Sequence, residues 1–415
     1  MEKILYGIGL SFYQLGLFWV SLFSAKARER RRGSRDWKEA LRFFKGKRVI
    51  WMHCASLGEF EQGRPVLDAL SRACPNRDIV LTFYSPSGYN IRKNYGNASK
   101  VLYLPEDGVF HARDFIDLLR PEIAIFVKYD FWYFMLSELK ARNIPVFLIA
   151  ARFQANQAYF NFWLKPLFKK ILGTFTLIFT QDHDTYSLLN SIPELNGKVK
   201  VAGDPRYDRV VEQVENPSAL PDLSDFIEGD FCFIAGSTWP QDDELLIATI
   251  TELKDHRISW IIAPHEYNEK THNRYRKAFP ARVARFSRVE DIFPGQNILL
   301  VDQVGYLSSL YRLADAVYVG GGQHHRIHNI QEPSAWGAPV SFGPRHKDFP
   351  EASDLLRSEG NRVIFNSKDL LAWIAFLLHS NTQMTDLKNH NRNYILSKSG
   401  ATGRIISTLQ AAEYI

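Results

Sequence analysis

Short apolar runs separated by helix-length segments recur along most of this chain, and that alternation limits its possible folds more than any other feature. KRVIWMHCA (47–55), DIVLTFYS (78–85), VLYLP (101–105), EIAIFVKYD (122–130), VFLIAA (146–151) and LIFTQ (177–181) read as strands, most of them bounded by Pro, Gly or polar residues. SLGEFEQGRPVLDALSRACP after the first run reads as a turn and an amphipathic helix with Val66, Leu67 and Leu70 on one face. The segment 203–230, GDPRYDRVVEQVENPSALPDLSDFIEGD, breaks the pattern with prolines and acidic residues and reads as an interdomain linker. The alternation then restarts with FCFIAGS (231–237), ISWIIAP (258–264), ILLVD (298–302), AVYVGGG (316–322), PVSFGP (339–344) and RVIF (362–365). Such a pattern specifies an α/β chain with parallel sheets covered by helices on both faces. We expect two doubly wound, Rossmann-like domains facing across a cleft, with ligands outside the carboxyl ends of the strands. A length of 415 residues suits two domains, and a composition 46% hydrophobic and 23% charged suits a packed globular chain.

The stretch Ile4–Ser24 carries no formal charge and is long enough to cross a bilayer core as a helix. AKARERRRGSR follows at once, crowding Lys26, Arg28, Arg30, Arg31, Arg32 and Arg35 together. A cleaved signal peptide would place its positive charge before the apolar run, so a retained anchor with the rest of the chain on the cytoplasmic side is the better reading. Tyr6, Tyr13 and Gln14 weigh against a spanning helix and towards one lying in the interface, and both geometries stay open. The basic run then sits among anionic headgroups. The net charge of +6 would also suit nucleic acid or a phosphorylated substrate, but its clearest cluster adjoins the anchor and no nucleic-acid module is recognisable. Cys54, Cys74 and Cys232 are widely spaced, which supports neither a disulfide framework nor a cysteine zinc site and fits a reducing compartment.

Several polar groups stand at strand ends. Ser56-Leu57-Gly58-Glu59 follows the first strand; a carboxylate there could serve as a general base, and S-x-x-E is equally a helix capping box, which spacing alone favours. Tyr318-Val319-Gly320-Gly321-Gly322 runs into a polar loop with His324, His325 and His328 and then towards a helix near Asn329. Glycines such as Gly321 let a ligand approach the backbone, and a helix start offers N–H groups to phosphate. The histidines share no fixed face, so we expect no metal there. Ser237-Thr238 could cap a helix or bind phosphate. Pro264-His265, Lys128-Tyr129-Asp130 and Asp204-Pro205-Arg206 complete the set.

Taken in order and spacing, HCASLGE, KYDFW, IAARF, GDPRYD and the block GGG…HNIQEPSAWGAPVSFGP, together with the basic-flanked apolar N-terminus, resemble the 3-deoxy-D-manno-octulosonic acid (Kdo) transferases of lipopolysaccharide synthesis. The resemblance implies a GT-B fold: an anchor and basic segment (1–35), an acceptor-binding domain (36–210), a linker (211–230), a CMP-Kdo-binding domain (231–395) and a last helix crossing back to the first domain (396–415). It implies an inverting glycosyltransferase at the cytoplasmic face of the inner membrane, moving Kdo from CMP-Kdo to a glucosamine 6′-hydroxyl of a lipid A precursor, lipid IVA. By resemblance Glu59 is the catalytic base and Arg206 steadies developing charge. CMP contacts carry over to Pro264 and His265, to Val304, Gly305 and Tyr306, and to Asn329, Ile330, Gln331 and Glu332. No cofactor beyond the donor substrate is expected. The family commonly has Glu-x-Glu where this chain has Lys128-Tyr129-Asp130, so Lys128 is expected to meet an acceptor phosphate or to adjust the pKa of Glu59 or Asp130; His265 stands where the family has Arg. The rival readings are another GT-B enzyme with a UDP-sugar donor and a non-catalytic membrane-associated binding protein.

Overall fold

The protein is described from a computed structural model covering residues 2–227, 231–254, 256–379 and 383–415, with side chains from Tyr6 onward. Met1 of the expected anchor, the end of the expected linker (228–230), and 255 and 380–382 of the expected second domain lie outside the described residues.

Two compact units make up the chain: Met1–Asp208 with Ser399–Ile415, and Arg209–Lys398. The first holds strands β1 (Val49–Cys54), β2 (Asp78–Phe83), β3 (Lys100–Tyr103), β4 (Ile123–Val127), β5 (Val146–Ala151), β6 (Leu177–Thr180) and β7 (Val199–Val201). The second holds β8 (Phe231–Thr238), β9 (Ile258–Pro264), β10 (Val283–Arg285), β11 (Ile298–Leu300), β12 (Ala316–Val319), β13 (Val340–Phe342) and β14 (Arg362–Val363). Their orders are β3-β2-β1-β4-β5-β6-β7 and β10-β11-β9-β8-β12-β13-β14, parallel throughout. Each sheet therefore reverses its winding beside its first strand, between β1 and β4 and between β8 and β12. Those reversals are where doubly wound sheets open a crevice for ligands.

Helices cover both faces of each sheet, which is why the strands read as continuous apolar runs. On one face of the first sheet Trp51, Phe126 and Leu148 pack against Phe115, Leu136 and Phe168 of the helices Val109–Leu119, Tyr133–Ala141 and Lys165–Leu172. On the other face Met52, Ile125 and Phe147 meet Phe60 and Leu67 of the helix Leu57–Ala73 and Ile405 and Leu409 of the C-terminal helix Ala401–Ala411. In the second sheet Trp260 and Tyr318 pack against one helical layer and Ile261 and Val317 against the other. Each fully buried side chain of this size stabilises by about 1.5–3 kcal/mol. The expected linker begins as helix, Pro205–Glu215, before it becomes irregular. Asp208 in that helix accepts bonds from the backbone amides of Gly400 and Thr402, and Arg404 Nε donates to Ala202 O at 2.7 Å, fixing the chain's last segment on the first unit.

The N-terminal helix, Glu2–Phe23, is the one described helix long and apolar enough to cross a membrane. It lies against the first unit along one side. Tyr6 Oη donates to Asp107 at 2.7 Å, the Tyr13 and Tyr84 hydroxyls meet at 2.5 Å, and Leu10 packs on the core. Phe12, Leu15, Trp19 and Phe23 remain exposed.

Candidate active site

In the first unit, the turn after β1 and the turn after β4 bring Glu59, Lys128 and Asp130 to the winding reversal. Glu59 is the third residue of the helix Leu57–Ala73, and the capping box is formed: Ser56 N and Oγ donate to Glu59 Oε2 at 2.9 and 3.3 Å, and Glu59 N donates to Ser56 Oγ at 3.4 Å. The preceding amide, Ala55 N, donates to Asp130 Oδ2 at 2.8 Å. Burial holds the Glu59 carboxyl above its ordinary range, against the Ser56 bonds and the positive Lys128, which pull it down. Asp130, 6% exposed, is pushed well up by burial and by the charge of Glu59. Lys128 is shifted down by burial and by Arg206, with Glu59 and Asp204 opposing. Arg206 is gripped by Asp204, with Nε and Nη2 at 2.9 and 2.7 Å from Oδ2. Two carboxyl groups of raised pKa thus stand among cations, which is how acid–base sites are tuned.

The backbone here is strained as well. Lys128 has φ of +67° and Ala150, at the end of β5, +53°, values that non-glycine residues seldom adopt. Such outliers persist only where surroundings over-determine them, and they gather at functional sites.

Beneath these groups lies His53, on β1 and fully buried. Its Nε2 accepts from Trp132 Nε1 at 2.9 Å, so its proton sits on Nδ1, which donates to Thr82 Oγ1 at 2.8 Å. Burial lowers its pKa to about 3, so it is neutral, and its 3.6 Å approach to Asp130 is a polar contact rather than an ion pair. Neither His53 as an anchor for Trp132 nor Arg152, whose charge also lowers the pKa of Lys128, was singled out from sequence. The strand period that buries His53 was the available signal.

In the second unit the corresponding edge is organised by Asp242, a fully buried carboxylate that accepts from Trp239 N at 2.8 Å, Tyr318 Oη at 2.7 Å and Gly321 N at 2.9 Å. It ties the end of β8 to the glycine turn after β12. Gly320 is required for this approach, since a Cβ there would stand 2.5 Å from Ser237 O. Ser237 has φ of +55° and Thr238 Oγ1 donates to Asp243 at 3.1 Å, so neither caps the helix Pro240–Glu252; its first residue is preceded by Trp239, whose N–H is taken by Asp242. His265 N donates to Thr238 O at 2.9 Å, and the His265 ring stacks between Trp239 (4.8 Å) and His328 (4.5 Å). Trp239 Nε1 donates to His328 Nε2 at 2.9 Å; burial, then His265 and His325, lower the His328 pKa to about 4. Sequence spacing does not relate Trp239 to the two histidine rings it meets here. Among the described residues no group of histidine, cysteine or carboxylate side chains is arranged to hold a metal ion.

Val304 is fully exposed, Gly305 has φ of +100° and Tyr306 packs on Phe286 at 4.9 Å, leaving this turn open to solvent at the end of β11. Asn329 Nδ2 donates to Glu332 at 3.1 Å and its Oδ1 accepts from Gln331 N at 2.9 Å. The side chains of Ile330 and Gln331 are buried, so those residues offer a ligand backbone only. The helix there, Gln331–Ala335, is short, which limits its dipole to the contribution of its few N–H groups.

Residues 33–209 match the family model described as 3-deoxy-D-manno-octulosonic-acid transferase (kdotransferase). The 3-deoxy-D-manno-octulosonic acid transferase of Haemophilus influenzae is 26% identical over 387 residues, covering 87% of this chain and 86% of that protein. The protein of the same name from Aquifex aeolicus is 26% identical, covering 78% of this chain and 83% of the other. Among solved structures, UDP-GlcNAc 2-epimerase from Neisseria meningitidis superposes with a TM-score of 0.61 at 14% identity, over 88% of this chain and 100% of that one. At that identity the likeness is one of fold: two Rossmann-like domains of the GT-B kind.

Proposed function

We propose that the chain is a Kdo transferase that moves Kdo from CMP-Kdo to the glucosamine 6′-hydroxyl of a lipid A precursor, lipid IVA, with inversion and with Glu59 as general base; the family-model match over residues 33–209 and the 26% identity to the Haemophilus influenzae protein support that reading. The observation that carries the proposal is the Glu59 carboxyl itself: half-buried, raised in pKa, and set beside Asp130, Lys128 and Arg206 at the winding reversal of the first sheet.

Glu59 Oε2 is occupied by the capping box, and Oε1 is the oxygen that receives the acceptor proton. As that proton transfers, the acceptor oxygen attacks the anomeric carbon of Kdo from the face opposite CMP. The bond from that carbon to the phosphate oxygen breaks, and its electron pair leaves with CMP. A base with a raised pKa gains driving force for the proton, and Lys128 keeps enough of it ionised to work. Arg206, oriented by Asp204, offsets the charge that develops on the carboxylate donor and departing phosphate. In the second unit the backbone of Ser237, Gly321 and Asn329–Glu332 and the ring of His265 receive CMP, with Pro264, Thr238 and the Val304-Gly305-Tyr306 turn shaping the pocket. The reading needs no metal and no resident cofactor. The N-terminal helix and the basic run after it hold the enzyme at the cytoplasmic face of the inner membrane, beside its lipid acceptor.

The test is transfer by detergent-solubilised protein from CMP-Kdo, made in situ, to a tetraacyl lipid A precursor, read by mass spectrometry. The expected result is a gain of one or more Kdo units. CMP binding without product would overturn the acceptor assignment, and absence of CMP binding would overturn the donor assignment.

A further inference from the structure

Three consecutive aromatic residues follow the β4 turn, and each packs on a different neighbour. Phe131 meets Tyr159 at 5.7 Å and Phe168 at 5.4 Å. Trp132 lies 4.8 Å from Tyr84, whose hydroxyl meets that of Tyr13. Tyr133 lies 5.2 Å from Tyr6. The N-terminal helix and the segment 158–172 therefore flank one turn, at the same carboxyl edge of the first sheet that carries Glu59, Lys128 and Asp130.

That second flank has an unusual surface. Phe162 is 82% exposed and Trp163 87%, their rings 5.6 Å apart, with Leu164 exposed beside them. The helix Lys165–Leu172 begins immediately afterwards and buries Phe168, Ile171 and Leu172 while presenting Lys165, Lys169 and Lys170 on its outer side. Glu194 approaches Lys169 at 3.6 Å. Adjacent large aromatics held in water are costly, and a rim of lysines around them matches an anionic lipid surface, with the rings at headgroup depth and the ammonium groups at the phosphates.

The N-terminal helix points to the same partner. Its bonds from Tyr6 to Asp107 and from Tyr13 to Tyr84 hold a length of about 10 Å of helix against the protein, at 1.5 Å per residue. A helix fixed that way along the first unit lies in the interface, offering Phe12, Leu15, Trp19 and Phe23 to the bilayer.

We propose that Phe162, Trp163 and Leu164, with Lys165, Lys169 and Lys170, form a second contact with an anionic bilayer, and that this tip and the exposed face of the N-terminal helix seat the edge bearing Glu59 on the membrane from two sides. The proposal rests on the membrane placement of the N-terminal helix given above and adds a contact to it. Two contacts fix an orientation that one helix would leave free to swivel.

All three native cysteines are buried, so an introduced thiol is the one a dye reaches. The full chain bearing Phe162→Cys, and separately Phe12→Cys, is labelled with an environment-sensitive fluorophore and mixed with phosphatidylcholine–phosphatidylglycerol vesicles carrying chain-linked nitroxide quenchers. Unlabelled Trp163→Ser is assayed for vesicle affinity by flotation. Quenching at both positions, with an affinity loss of roughly tenfold or more for Trp163→Ser, is expected from burial of a large aromatic side chain. Quenching at position 12 alone overturns the second contact and leaves the anchor standing; quenching at neither overturns both. Unchanged affinity of Trp163→Ser overturns the proposal even if the dye at 162 is quenched.

Discussion

Glu59 and Asp130 hang from consecutive backbone amides: Ser56 N–H donates to Glu59 at 2.9 Å and Ala55 N–H to Asp130 at 2.8 Å. One rigid turn between β1 and the helix Leu57–Ala73 therefore sets both carboxyl groups, so their mutual charge effect is built into the backbone. The chemistry assigned to Glu59 depends on that turn as much as on the residue.

Glu59→Gln separates the two roles of the residue. Glutamine completes a capping box as well as glutamate does, so thermal stability should hold, while transfer falls by about 100-fold or more, the scale of losing a general base. Kdo transfer by mass spectrometry and melting by scanning fluorimetry, run side by side, check this; near-normal turnover would remove Glu59 from the mechanism.

The acid limb of the pH–rate profile should lie above that of an ordinary glutamate. The base works deprotonated, and burial raises its folded pKa, so activity is lost at a higher pH on acidification. Lys128 pulls that pKa down, and Lys128→Met should therefore move the limb further towards neutral. A limb that moves to lower pH in that variant would contradict the assignment.

Asp130→Asn should stabilise the protein at neutral and alkaline pH. The folded-state pKa of Asp130 is raised, so folding costs nothing below the unfolded pKa and loses stability as pH rises through the folded one. Asparagine has no charge to form there, and its Oδ1 still accepts from Ala55 N–H. A gain of about 1 kcal/mol corresponds to roughly 2–4 °C in Tm for a unit of this size. The difference should shrink on acidification; a lower Tm at neutral pH would refute the burial argument.

Gly320→Ala probes the second unit. Its methyl group would stand 2.5 Å from Ser237 O and 2.7 Å from Thr238 Cα, both backbone atoms. Forcing β8 and β12 apart should cost about 1–3 kcal/mol and weaken CMP binding, read by calorimetry. Unchanged CMP affinity would show that this junction does not shape the donor pocket.

The strands at the centres of both sheets were legible because burial on two faces leaves an unbroken apolar run. Val199–Val201 and Val283–Arg285 were not: each is an edge strand three residues long, and Lys200 and Arg285 interrupt the pattern where an edge meets water. The Ser56–Glu59 motif showed the turn that the structure forms. What stayed hidden were contacts made only through tertiary structure, such as Asp242 reaching Gly321 and Trp132 reaching His53, whose partners are each 79 residues apart in the chain. The ring stack of Trp239, His265 and His328 is of the same kind, drawn from the ends of β8 and β9 and the loop after β12, which sequence spacing does not relate.

The first unit is assembled from both ends of the chain. Ile405 and Leu409 complete the core beneath Met52 and Phe147, and Tyr414 lies 5.0 Å from Phe147. During synthesis that core stays open until the final helix emerges, after every strand of the second unit has been made. A chain released before that helix is made thus has a Glu59-bearing sheet that lacks part of its apolar cover.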